Sequence, residues 1–219
     1  MALGVSGLTC VLPNTFGAER KDADVMNVSP AEDLMREHGV LKRIMLIYNE
    51  AIRRLDANEG LPPKPVADVA CIVRSFIEDY HEKQEEEFLF PRFKKANQLL
   101  ELIGILLQQH RAGRRLTDIV LRLSTAQAIK SPEERQALSE SMRLFVRMYN
   151  PHAAREDTVL FPALHLVVDA KEYDELGETF ERREHELFGN DGFKAIVDRV
   201  AEIEKTLGIF DLSQFTAHT

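Results

Sequence analysis

Apolar residues recur along this chain at helical, not strand, spacing. Leu34, Leu41, Met45, Tyr48, Ile52 and Leu55 follow steps of three, four and seven, and His38 fills the gap in the series. That period puts them on one face of an amphipathic helix, with His38 in its buried seam. Ser29 is the expected N-cap and Pro30 the first helical residue. Asn58, Gly60 and three prolines at 62, 63 and 65 end the helix. A second helix is expected over about 66–90, with Val73, Ile77, His81, Glu85 and Phe88 inward. A third, over about 97–126, turns Leu99, Ile103, Leu106, His110, Thr117 and Val120 inward. Ser131 caps a fourth, whose stripe is Leu138, Met142, Phe145, Tyr149, His152, Glu156, Val159 and Ala163. No run alternates as a strand would.

The expected fold is therefore all-α: an up-down-up-down four-helix bundle with further C-terminal helices. Those helices should cover about 169–188 and 193–206, broken by Gly189 to Gly192, before a tail that reaches Phe215. The chain divides into an irregular N-terminal segment (1–29), the bundle (30–165) and a helical appendage packed on it (166–219).

The bundle carries an internal repeat. His81 and Glu85 with Leu89, Phe90 and Pro91 recur 71 residues on as His152 and Glu156 with Leu160, Phe161 and Pro162. Both segments read H-x-x-x-E-E/D-x-x-L-F-P. A lone histidine precedes each, His38 and His110, 72 residues apart. The offset implies two helical hairpins related by pseudo-twofold symmetry, each supplying one lone histidine and one His/Glu pair on a shared helix face.

Six polar groups thus stand where four helices would otherwise put Leu or Ile. Burying imidazoles and carboxylates without partners is costly. Four imidazoles and two carboxylates form a natural shell for two metal ions, and their type selects the metal. No thiolate takes part, which disfavours structural zinc. Mixed imidazole and carboxylate ligation suits iron or manganese, so two Fe ions are expected, with Mn or a mixed Fe/Mn pair as alternatives. The metal ligands are expected to be His38, His81, Glu85, His110, His152 and Glu156, with the glutamates bridging and two histidines on each metal.

This pattern resembles the hemerythrin-like proteins, whose HHE cation-binding module is a four-helix bundle with a non-haem di-iron centre. The resemblance covers about residues 30–165. It implies the same six ligands and a role in binding O2 or a related small oxidant, as an oxygen- or redox-responsive metalloprotein. Alternatives within the resemblance are a di-iron oxidase or peroxidase, a nitric-oxide scavenger, or an iron-handling protein. Oxygen carriers of the family have a further histidine one turn after the lone histidine of the third helix. Here that position is Arg114. One metal would then keep an open position, which favours redox reaction over reversible carriage. The candidate replacement, as ligand or outer partner, is His185, with Glu181 on the same helix face; a solvated charged surface is the competing reading for both.

Other residues receive lesser roles. Glu86 and Asp157 follow the two ligand glutamates and are expected around the ligands or in solvent. Phe90 and Phe161 are expected in the core or as pocket walls, and His165 has no special role. Pro151 should kink the fourth helix and produce a bulge that orients His152.

Composition narrows the setting. The chain has 219 residues, 44% hydrophobic and 29% charged, with net charge −8, which argues against a nucleic-acid partner. Cys10 and Cys71 make no disulfide framework and no zinc motif. No stretch is long and apolar enough for a membrane span. The first 18 residues are uncharged and mostly small or apolar. They read either as a loosely docked tail, which goes with a cytoplasmic protein, or as the remnant of an export signal, which goes with a periplasmic or exported one.

Overall fold

A computed structural model describes residues 28–217; the uncharged N-terminal stretch and Cys10 lie outside the described residues. Every regular element among the described residues is helical, with no strand.

Helix α1 (Pro30–Asp56) starts as the sequence requires. Ser29 accepts a hydrogen bond from the Glu32 amide, Pro30 occupies the first turn, and Glu32 and Asp33 face the positive end of the helix dipole. Helix α2 is one continuous rod over 63–95, but its backbone changes pitch along the way. Pro63–Ile72 is α-helical, Val73–His81 and Glu85–Leu89 are π-helical, and Glu82–Gln84 and Phe90–Lys95 return to α. Helix α3 (Leu100–Leu123) follows a turn in which Asn97 and Leu99 adopt left-handed backbone angles. The expected inward Leu99 is that turn residue and is only partly buried.

A short helix that the periodicity did not announce, α4 (Ala126–Lys130), is capped by Thr125. Helix α5 (Pro132–Arg155) is capped by Ser131, continues through a π turn at Glu156–Leu160 and ends in a 3-10 turn at Pro162–Leu166. Pro151 lies inside α5 without the expected bulge at His152. The change of pitch comes one turn later, at Glu156. Helices α6 (Ala170–Phe188) and α7 (Gly192–Leu207) complete the chain, followed by a 3-10 turn at Leu212–Phe215.

The four long helices form a ring in which α1 packs on α2, α2 on α3, α3 on α5 and α5 on α1. Helices α6 and α7 lie across α1, and α7 also reaches α2. Ion pairs fix this appendage. Arg43 of α1 grips Glu204 of α7 with two hydrogen bonds of 2.9 and 2.6 Å, and Arg54 donates to the Leu207 carbonyl at 2.6 Å. Arg92 and Arg183 tie α6 to α2 through Glu172 and Glu87.

The apolar interior falls into two clusters. The larger runs from Val40, Ile44 and Tyr48 to Val69, Phe76, Phe145 and Val200. The smaller holds Leu34, Phe90, Phe93, Ile103, Phe161, Leu164 and Phe180. Between these two blocks of hydrocarbon sits a layer of buried polar side chains: Glu37, His38, His81, Glu82, Gln84, Glu85, His110, His152 and Glu156. Burial of apolar surface on both sides, worth roughly 25 cal/mol per Å2, holds that layer away from water.

Candidate metal centre

The four histidines present one ring nitrogen inward and one outward. Inward, His38 Nε2 lies 3.4 Å and His152 Nε2 3.1 Å from Oε2 of Glu156. His110 Nε2 lies 3.3 Å from Glu85 Oε2, and His81 Nε2 3.8 Å from Glu85 Oε1. The Nε2 atoms of His38 and His81 are 3.1 Å apart. Thus all six residues expected from the repeat meet around one point in the bundle.

Outward, each Nδ1 meets an acceptor. His38 faces Asp157 at 2.6 Å, His81 faces Glu37 at 2.6 Å, His110 faces Glu86 at 3.1 Å and His152 faces Gln109 at 2.8 Å. An acceptor at Nδ1 places a proton there and, in the neutral ring, leaves the Nε2 lone pair pointing into the cluster, which is how metal-ligating histidines are usually oriented.

The two halves match. The rings of His38 and His81 lie 4.7 Å apart, tilted by 53°; those of His110 and His152 lie 5.1 Å apart, tilted by 51°. Phe161 stacks on His38 and Phe90 stacks on His110, at 5.4 and 5.7 Å. The repeated segments therefore cross over. Glu85, Glu86 and Phe90 from the first hairpin serve His110 of the second, and Glu156, Asp157 and Phe161 serve His38 of the first. The π turns at Glu85–Leu89 and Glu156–Leu160 each begin at the inward glutamate. The widened turn lets consecutive acidic residues serve different sides of the neighbouring histidine ring, and such turns recur at functional sites.

The chemistry of the donors fits a cation. Both oxygens of Glu85, both oxygens of Glu156 and Nε2 of His110 are buried without a hydrogen-bond partner. Orphaned polar atoms are rare in protein interiors and call for a ligand or ion. Burial, reinforced by the Glu156 charge, pushes the Glu85 carboxyl well up. Burial opposes ionisation of Glu156 too, but His152 and His38 hold it well below the usual carboxylate range. Burial lowers His110 to about 4 and holds His81 well below its ordinary value, so both are neutral and free to ligate. Three groups of donors lie close enough to hold an ion; one is Glu82, Glu86 and His110, whose two carboxylates Arg114 engages, and the other two are the inner ones, Glu85, His110, His152 and Glu156, and His38, His81 and Glu85. Glu85 belongs to both inner groups, as a bridge would.

Sequence reasoning missed several residues here. Glu37 and Gln109 each precede a lone histidine, so the doublet itself was the available signal; neither fits an apolar stripe. Glu82 is also buried. It receives a 2.6 Å hydrogen bond from Tyr149 and pairs with Arg114 at 2.7 Å. Arg114 further binds Glu86 at 2.8 Å and the Glu78 carbonyl at 3.3 Å. The guanidinium at the position of the carriers' extra histidine is thus engaged with the outer acceptors. His185 and Glu181 line a separate cavity of about 230 Å3 with Asp33, Arg36 and Glu184, and neither belongs to a group close enough to hold an ion. His165 stacks on Tyr173 at 4.0 Å.

A helical bundle with a buried, twofold ring of imidazoles around paired carboxylates defines a cation-binding protein of the all-α class. The sequence model of the hemerythrin HHE cation-binding domain matches residues 29–118 and, a second time, 101–208. The chain belongs to that family. Uncharacterized proteins of Mycobacterium bovis and Mycobacterium tuberculosis are each 52% identical to it over 189 residues, spanning 86% of this chain and 74% of theirs. No solved structure matches. No helix among the described residues is long and apolar enough to cross a membrane.

Proposed function

We propose that the chain holds two iron ions through His38, His81, Glu85, His110, His152 and Glu156, and reacts there with O2 or a related small oxidant. The observation that carries this reading is the set of orphaned oxygens on Glu85 and Glu156, facing inward among imidazole nitrogens between two apolar blocks. Two mutually repelling carboxylates would not persist there without positive charge. Imidazole and carboxylate without thiolate suit iron or manganese.

When bound, such ions would supply redox chemistry and a coordination position for a small ligand. The chain's own residues do the rest. Asp157, Glu37, Glu86 and Gln109 orient the four rings. Phe90 and Phe161 wall off the cluster and exclude water from its smaller-cluster side. Arg114 neutralises Glu82 and Glu86 and supplies no ring nitrogen. That last feature favours redox turnover, as in an oxidase or peroxidase, over reversible oxygen carriage.

The test is metal analysis with an absorption spectrum recorded from anaerobic to aerobic conditions. Two irons per chain and a charge-transfer band that responds to O2 are expected. A band that reverses on removing O2 would mean carriage despite Arg114, irreversible oxidation would mean redox reaction, and no iron after anaerobic reconstitution would overturn the reading.

A further inference from the structure

The twofold relation of the cluster is broken on one side by a buried phenol. Tyr149 occupies the place that Glu78 holds in the other half, and Glu82 the place of Ala153. The Tyr149 ring meets His152 edge to face at 5.2 Å, and its hydroxyl donates to Glu82 Oε1 at 2.6 Å. Both residues are 1% exposed. We propose that Tyr149 is a one-electron redox site coupled to the metal cluster, with Glu82 as the acceptor of its phenolic proton. The proposal rests on the di-iron reading above.

Three observations point to it. First, removing an electron alone from a buried phenol would strand a positive charge in a medium that cannot solvate it. A carboxylate already holding the phenolic hydrogen removes that cost, because the proton leaves with the electron. Second, Glu82 is balanced by Arg114 at 2.7 Å, and Arg114 continues through Glu86 to His110. The tyrosine thus touches the centre twice, by ring contact to His152 and by a chain of polar contacts to His110. Third, space is reserved for the hydroxyl. A Cβ at Gly113 would lie 2.0 Å from the Tyr149 oxygen, so only glycine lets the phenol reach Glu82. The buried Tyr48 offers a contrast, since its hydroxyl has no hydrogen-bond partner to take a proton.

The step balances with hydrogen peroxide as oxidant. Its O–O bond breaks, and two protons from solvent complete two waters. Of the two electrons required, a bound ferrous ion would supply one, ending as ferric, and Tyr149 would supply the other. The phenolic O–H bond breaks, its proton forms a new O–H bond on Glu82, and the product is a neutral tyrosyl radical. Tyr149 would thus complete a two-electron reduction when only one ferrous ion is at hand.

The experiment is freeze-quench electron paramagnetic resonance on iron-loaded protein, poised with one ferrous and one ferric ion per chain and mixed with hydrogen peroxide. Iron content is measured on every sample. The expected result is an organic radical whose hyperfine pattern narrows in protein grown on ring-deuterated tyrosine. It should be lost in Tyr149→Phe and weakened in Glu82→Gln, which keeps the phenol but removes the base. Tyr48→Phe and Tyr80→Phe should keep it. Two irons per chain with no tyrosyl signal in the unaltered protein, or a signal that survives Tyr149→Phe, would overturn the inference and leave the di-iron reading standing. Failure to bind iron at all would overturn both.

Discussion

His152 donates from Nδ1 to the amide oxygen of Gln109 at 2.8 Å, whereas its twofold mate His81 meets the carboxylate of Glu37 at 2.6 Å. A neutral acceptor polarises an imidazole less than a carboxylate does, so His152 is the weaker donor of the matched pair. Gln109 and His152 also line a groove of about 480 Å3 between α3 and α5, together with Leu102, Ile105, Pro151 and Val159. The side of the cluster with the weaker outer support is therefore also the side nearest an external cavity. Gln109→Ala should weaken metal retention by about 10–100-fold, the range found for loss of such outer partners. Competition with a chromophoric chelator measures this, and Gln109→Glu should hold metal at least as tightly as the unaltered chain.

Removing an inward carboxylate should separate metal binding from folding. Glu85→Ala or Glu156→Ala should abolish the dinuclear site while leaving the helices in place. Each deletes one buried carboxyl group whose oxygens have no hydrogen bonds to lose. Metal content with far-ultraviolet circular dichroism reads both effects. Either variant retaining two metals per chain would show the bridge assignment to be wrong. His165→Ala is the control, since that ring stacks on Tyr173 away from the cluster, and its metal content should not change.

Metal uptake should release a proton from His38. Burial opposes its charge, but the hydrogen bond to Asp157 and the Glu156 carboxylate 3.4 Å away outweigh this and raise it to about 9 in the metal-free protein. Its folded value lies above its unfolded one. Its charged form therefore stabilises the metal-free fold fully below about 6.5, and that contribution fades as pH rises through about 9. Ligation requires the neutral ring. Affinity should thus climb with pH up to about 9 and level off, and loading in weak buffer at neutral pH should acidify the solution. A pH-independent affinity between 6.5 and 9 would contradict this.

Loading should also stabilise the bundle. An ion that binds only the folded chain adds about 4 kcal/mol at a thousandfold excess over Kd. The melting temperature should rise on iron addition and fall back when a chelator strips it. An unchanged melting curve would mean that the buried carboxylates are balanced some other way.

Gly113→Ala should be costly despite alanine's better helix propensity. The new methyl would overlap the Tyr149 hydroxyl at 2.0 Å and its Cζ at 2.8 Å. Overpacking of this kind costs about 1–3 kcal/mol. Denaturant unfolding of the metal-free protein should show that loss, and adding Tyr149→Phe should recover only part of it, because the ring carbon still clashes. Full additivity of the two changes would argue against the contact.

Much of this protein is written in short-range pattern. Ser29, Thr125, Ser131 and Asp169 cap the helices they precede, because a side-chain oxygen beside a free amide is a local matter. The inward stripes of α1 and α5 hold for their apolar positions through Tyr149, and the six polar residues at inward positions are all buried. Period and polarity conflict at those six, and that conflict is visible without any structure. The π turns were not legible, since one residue inserted into a helical turn leaves no compositional trace. Pro151 misled for the same reason: the missing amide is absorbed within an otherwise regular helix, and the pitch changes where Glu156 must turn inward.

The sequence by itself determined which residues are polar in an apolar seam, how they repeat, and that they come from two hairpins. Tertiary structure alone decided how those hairpins share the site. Each His/Glu segment supplies its glutamate, acidic neighbour and phenylalanine to the lone histidine of the other hairpin, while Glu37 and Gln109 support the second histidine of their own. Spacing along one helix specifies a face, but not which neighbour that face will meet. Only the packing of α1 on α5 and α2 on α3 brings residues more than a hundred positions apart, such as His38 and Asp157, to 2.6 Å.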